Sequence, residues 1–106
     1  HAAKHGVIGF VRSVALEVAG SGVTVNAICP GFVDTRMISD AKSDFARISG
    51  DGRSEEETMN MFRESIPMKR FLDPSEIAAM AVYLASGAAG GITGQAFTIS
   101  CGSVQI

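Results

Sequence analysis

Cysteine is scarce in this sequence. Two residues of 106, Cys29 and Cys101, stand alone with no Cys-x-x-Cys spacing. That leaves no disulfide framework, and both read as reduced thiols of a cytoplasmic protein. Long hydrophobic runs are missing too. The longest strongly apolar stretch, Ile77–Ala85, falls far short of the ~20 residues a membrane helix needs, so no membrane association is expected. No charge of one sign dominates. A net charge of −2 gives no electrostatic footprint for nucleic acid or an anionic lipid surface. The chain opens with neither a basic region nor a long apolar segment, so it shows no secretory signal. It has no start methionine, no internal repeat and no low-complexity tract. A helical pattern begins at once from His1-Ala2-Ala3-Lys4 without a cap, which reads as a chain cut inside an element.

What remains is enough for a packed core: 46% of residues are apolar and 19% charged. Residues 2–19 read as one helix, with Val7, Val11, Val14, Ala15 and Val18 on one broad stripe at about 100° per residue, which Ile8 and Phe10 widen. Ala2, Gly6, Gly9 and Ser13 form a small-residue face opposite, either solvent-facing or laid against another subunit. Gly20-Ser21-Gly22 ends the helix. Val23–Ile28 reads as a β-branched strand stopped by Pro30-Gly31. Ile38, Ala41, Phe45 and Ile48 recur at helical spacing. Ser54 with Glu57 forms a capping box for a second short helix, whose apolar face is Met59, Phe62 and Ile66. Asp73-Pro74-Ser75-Glu76 opens a third, with a cap, a first-turn proline and a capping-box glutamate in agreement. Ala96–Ile99 reads as a second strand. Strand, long crossover, strand is the sequence form of a parallel βαβ unit. Two parallel strands need more cover than this chain offers, so further strands are expected ahead of His1.

Lys4 lies close to the apolar stripe of its helix, where an ammonium must find a partner or pay desolvation. A snorkelling lysine at a helix start is the plain alternative. Pro30-Gly31 can be an ordinary strand-ending turn, and Thr35 a cap for the following helix. His1 and His5 stand at i, i+4, but no third ligand has suitable spacing, so no metal is expected. Gly87–Gly91 looks like a phosphate loop but precedes a strand instead of following one, which favours a simple connection.

Taken together, four blocks of sequence carry a resemblance. His1-Ala2-Ala3-Lys4, then Asn26 with Pro30-Gly31, Val33 and Thr35, then Pro67-Met68-Lys69-Arg70-Phe71 with Pro74-Ser75-Glu76, then Ile92-Thr93-Gly94-Gln95 occur in this order. They resemble the short-chain dehydrogenase/reductase family over nearly the whole chain. The resemblance implies the C-terminal part of a Rossmann-like, doubly wound parallel α/β sheet. It implies one domain portion over 1–106, with a substrate lid at about 36–67.

The family's Tyr-x-x-x-Lys motif would place its tyrosine immediately before His1, with Lys4 as the catalytic lysine. Lys4 would hold the nicotinamide ribose and lower the tyrosine pKa, since a nearby cation stabilises phenolate. Pro30, Gly31, Val33 and Thr35 would join Lys4 in binding the cofactor, NAD or NADP. Gly31 would let backbone approach the ligand, Val33 would offer main-chain groups, and Thr35 its hydroxyl. The implied reaction is hydride transfer between NAD(P)(H) and a carbonyl or secondary alcohol. Met37, Met59, Met61 and Met68 in or beside the lid suit an apolar small-molecule substrate, such as a 3-oxoacyl or 3-hydroxyacyl thioester. A homodimer or homotetramer is implied. One departure is Ser100-Cys101-Gly102, where the family usually has Asp-Gly-Gly. From another class comes the alternative of a non-catalytic fragment or interaction module without the N-terminal cofactor-binding half.

Overall fold

The computed structural model describes residues 2–34 and 55–103. The first helix, α1, spans Ala2–Val18 and ends in a 3-10 turn, Ala19–Ser21. Gly22, at φ +77°, closes it with its N–H on the Ala19 carbonyl. Ala15 is the fully buried residue of α1, and Lys4, Ile8, Val11, Val14 and Val18 are half-buried around it. The inward face is the expected stripe of Val11, Val14, Ala15 and Val18, continued through Ile8, whereas Val7 is 57% and Phe10 70% exposed. A Cβ built on Gly94, in the turn leading to the second strand, would sit 3.5 Å from the Ala15 Cβ. That is ordinary van der Waals distance, so α1 and the turn approach closely at this crossing. Gly6 and Gly9 face open space.

The first strand, β1, is Ala27–Pro30, later than the expected 23–28. The second, β2, is Ala96–Ile99, as expected. They pair in parallel, Ala27 opposite Ala96 through Pro30 opposite Ile99. Residues 23–26 do not join the ladder because Gly94, at φ +71°, turns the facing chain away. One main-chain bond, from the Gly94 N–H to the Val25 carbonyl at 2.8 Å, crosses there, and side chains add to it. The Val25 N–H donates to Thr93 Oγ1 at 3.0 Å, and Asn26 Nδ2 donates to the Ile92 carbonyl at 3.0 Å. Asn26 Oδ1 accepts from the Gln95 N–H at 3.1 Å. Pro30 is tolerated in the strand for a geometric reason. The amide of Ala27 bonds to the Gln95 carbonyl just ahead of β2 and that of Gly31 to the Ile99 carbonyl, so by strand alternation the Pro30 nitrogen points to the other edge, where a missing N–H costs no bond to β2.

Between the strands lie α2, Glu55–Ser65, and α3, Pro74–Leu84. The expected capping residue of α2, Ser54, and the helical pattern at 37–48 lie outside the described residues. α3 starts as its sequence dictates. Asp73 Oδ1 accepts from the Ser75 N–H at 2.9 Å, and Glu76 Oε2 accepts from the Asp73 N–H at 2.8 Å. Pro74 occupies the first turn. α3 lies against β1. Ile66, Leu72 and Cys101 form a small buried cluster at the far end of the sheet, with Val33, Phe71, Ile77 and Ile99 packed on it. No helix among the described residues is long and apolar enough to cross a membrane.

Candidate active site at the carboxyl end of the sheet

α1 runs antiparallel to β1. Its Ala15 sits near Gly94, at the amino end of the strands. Its Lys4 shares an open groove of about 290 Å³ with Val7, Ile8, Ala27, Ile28, Cys29 and Pro30. The amino end of α1 therefore meets the carboxyl end of β1, the position at which open parallel sheets bind ligands. Lys4 is half-buried on the inward face. Of the residues expected to form a site, Lys4 and Pro30 are brought together in this groove.

Gly31 follows, its N–H donating to the Ile99 carbonyl at 2.8 Å. A Cβ there would lie 3.0 Å from both Cα and Cβ of Ser100. In this structure the atoms that require a glycine belong to the end of β2.

Val33 forms a parallel bridge with Leu72. The Leu72 N–H donates to the Phe32 carbonyl and the Leu72 carbonyl accepts from the Asp34 N–H, both at 2.8 Å. In an extended segment, alternate residues present their main-chain groups to opposite sides. The N–H and C=O of Val33 are therefore turned away from Leu72, one donor and one acceptor side by side. Its side chain packs into the Ile66–Leu72–Cys101 cluster. Thr35 lies outside the described residues. So do His1 and most of the expected lid, of which α2 is described.

The linker behind this segment is held by charge and by a tight turn. Arg70 grips Glu76 with two bonds, Nη1 to Oε2 at 2.8 Å and Nη2 to Oε1 at 2.9 Å. The Arg70 bond, with the Asp73 N–H adding to it, holds the Glu76 carboxyl down at about 2. The Ser75 amide holds Asp73 below its usual value. The turn Ser100-Cys101-Gly102 departs from the family's usual residues but is well packed. Cys101 is buried in the left-handed region at φ +54°, and its carbonyl accepts from the Met68 N–H at 3.0 Å.

Leu72 and the ring cluster of Phe32, Phe62 and Phe71 were not legible as site elements. Leu72 acts through its backbone, which leaves no side-chain signature. The rings come from three separate segments, and only their common residue type hints at a meeting.

The described arrangement offers a lysine beside the strand end and a main-chain donor–acceptor pair three residues beyond Pro30. This is what an amide and a polyol on one ligand would need. A family model described as Enoyl-(Acyl carrier protein) reductase matches residues 1–103. A D-beta-hydroxybutyrate dehydrogenase of Rhizobium meliloti is 46% identical over 94 residues, 88% of this chain and 36% of that protein. A 3-oxoacyl-[acyl-carrier-protein] reductase of Vibrio harveyi is 40% identical over 99% of this chain and 38% of its own length. Among solved structures, a variant of actinorhodin polyketide ketoreductase with NADPH superposes with a TM-score of 0.85 at 37% identity. That match covers 97% of this chain and 40% of the ketoreductase. The chain spans about two fifths of the length of the curated relatives it matches. The ordered blocks, the parallel pair with its groove, and the match over nearly every residue agree: the chain belongs to the short-chain dehydrogenase/reductase family.

Proposed function

We propose that these residues supply the C-terminal side of the active site of an NAD(P)-dependent oxidoreductase that interconverts a carbonyl and a secondary alcohol. One observation carries the reading: Lys4 and Pro30 share a groove at the carboxyl end of the parallel strands; the main-chain pair that Val33 turns away from Leu72 supports it. Lys4 would hold the nicotinamide ribose hydroxyls, and its charge would lower the pKa of a neighbouring phenol. The Val33 N–H and C=O would orient the carboxamide. Pro30 and Gly31 would flank the ring, and Thr35 would add its hydroxyl. The nicotinamide, when bound, supplies or accepts the hydride. A 3-oxoacyl or 3-hydroxyacyl thioester is the substrate class, on the likeness to the acyl-carrier-protein reductase and the hydroxybutyrate dehydrogenase. A homodimer or homotetramer is the proposed assembly.

The test is NAD(P)H oxidation by the full chain carrying these residues, with acetoacetyl thioesters and simple ketones as substrates. Lys4→Met is expected to lower kcat/KM by about 10²-fold or more, by loss of the ribose contact and of the charge that keeps the neighbouring phenol acidic, with its melting temperature kept. Turnover unaffected by Lys4→Met, in a protein that does oxidise NAD(P)H, would remove Lys4 from the site.

A further inference from the structure

Phe32 lies between the last ladder bond of β1, at Gly31, and the Val33–Leu72 bridge. Val33 sends its side chain into the core, so Phe32 leaves the segment on the opposite face. There it is 43% exposed, yet it is held on two sides. The Phe62 ring of α2 stands 5.7 Å away, tilted by 55°, and the Phe71 ring 6.5 Å away, edge-on at 73°. These are arrangements that ring quadrupoles favour. Arg63, next to Phe62, lies over Phe71 with its guanidinium carbon 5.4 Å from the ring centre. Two consecutive residues of α2 thus reach rings on two other segments. The Leu72 bonds hold residues 32–34 in the sheet direction. The rings hold the same segment against rotation about its own axis.

We infer that Phe32 is a positioning residue that ties the seating of α2 to the orientation of the Val33 main chain. The cofactor part of this inference rests on the proposed function, in which Val33 orients the nicotinamide carboxamide. Displacing α2 then loosens cofactor binding.

The experiment compares wild type, Phe32→Leu, Phe62→Leu, the double variant and the ring-conserving Phe62→Tyr in the full chain. It reads the KM for NAD(P)H, the melting temperature, and amide exchange at Gly31 and Asp34. Each leucine variant is expected to raise the KM for NAD(P)H about fivefold, the double variant no more than either, because the rings act as one unit. Phe62→Leu is expected to speed exchange at Asp34, and Phe62→Tyr to leave both readouts as in wild type. Phe62→Met, of similar bulk without a ring, replaces Phe62→Leu should that variant not fold. A lower melting temperature with KM and Asp34 exchange unchanged overturns the inference. Multiplying effects in the double variant overturn it as well. If the wild type binds no NAD(P)H, the functional reading falls and the cofactor part falls with it. Asp34 exchange in Phe62→Leu then decides the mechanical coupling alone.

Discussion

Gly31 and Gly102 show how much a single missing side chain can govern. Gly31 sits where a Cβ would be 3.0 Å from two atoms of Ser100, one of them backbone. Gly102 combines φ +91° with a Cβ position 2.8 Å from the Pro67 Cβ. Gly31→Ala is expected to destabilise by about 1–3 kcal/mol, the usual cost of overpacking. Gly102→Ala should cost more, because it adds left-handed strain to the clash. Thermal unfolding of the two variants checks the order, and equal or negligible losses would contradict it. Glu76 offers a second residue-scale test, in pH. Its folded pKa is about 2 against an ordinary 4.5. A depressed carboxyl contributes stability that is present above the ordinary value and lost as pH falls toward the folded one. The window is therefore about pH 4.5 down to about 2. Asp73, also depressed, adds to the same loss. Glu76→Gln can keep the capping-box bond through its amide oxygen but does not titrate. Between pH 6 and pH 3 the melting temperature of wild type should fall further than that of Glu76→Gln. Equal falls would show that the Arg70 pair contributes nothing to acid sensitivity.

At the scale of elements, Asn26 joins the approach to β1 with the approach to β2, donating to Ile92 and accepting from Gln95. Asn26→Ala leaves the half-buried Ile92 carbonyl and the exposed Gln95 amide without these partners. The expected cost is about 1–3 kcal/mol. Asn26→Asp should also lose stability, since a carboxylate keeps the Gln95 bond but faces the Ile92 carbonyl. Denaturant unfolding of both variants tests this, and an unchanged midpoint for alanine would reduce the pair to decoration. The same joint explains what could be read from sequence and what could not. α3 was legible because Asp73, Pro74 and Glu76 are local signals, and the structure uses each. β2 was legible from its short apolar run. β1 was placed too early because β-branched Val23 and Val25 look like strand, while the facing chain turns at Gly94, about seventy residues on, so that Val25 bonds to Thr93 and Gly94 outside the regular ladder. Lys4 and Pro30 were legible as neighbours through motif order. Leu72 and Phe62 were not, since main-chain pairing and ring contacts between distant segments leave no local period.

For the molecule as a whole, the fully buried apolar side chains are few among the described residues: Ala15, Ile66, Leu72, Ala89 and Cys101. Against them stand Phe10 at 70% exposed, Leu16 at 82% and Val82 at 71%. Phe10 and Leu16 lie on α1, Val82 on α3, and among the described residues β2 pairs with one edge of β1 alone. A two-stranded parallel sheet is not stable by itself, because both faces and both edges call for cover. A polypeptide of only these 106 residues should therefore satisfy its apolar faces by association. The expected outcome is strong binding of the dye ANS together with concentration-dependent sedimentation. A chain that also carries further strands of the family's sheet should bind little dye at equal concentration. Replacing Leu16 and Val82 by Lys and Glu separates the two sources of association. If exposed helix faces drive it, the double variant becomes more monomeric and binds less dye. If the uncovered strand edge drives it, association persists at unchanged strength, because strand pairing runs through backbone groups that these substitutions leave in place. A monomeric, dye-silent chain of 106 residues would mean that the described faces find cover within the chain itself.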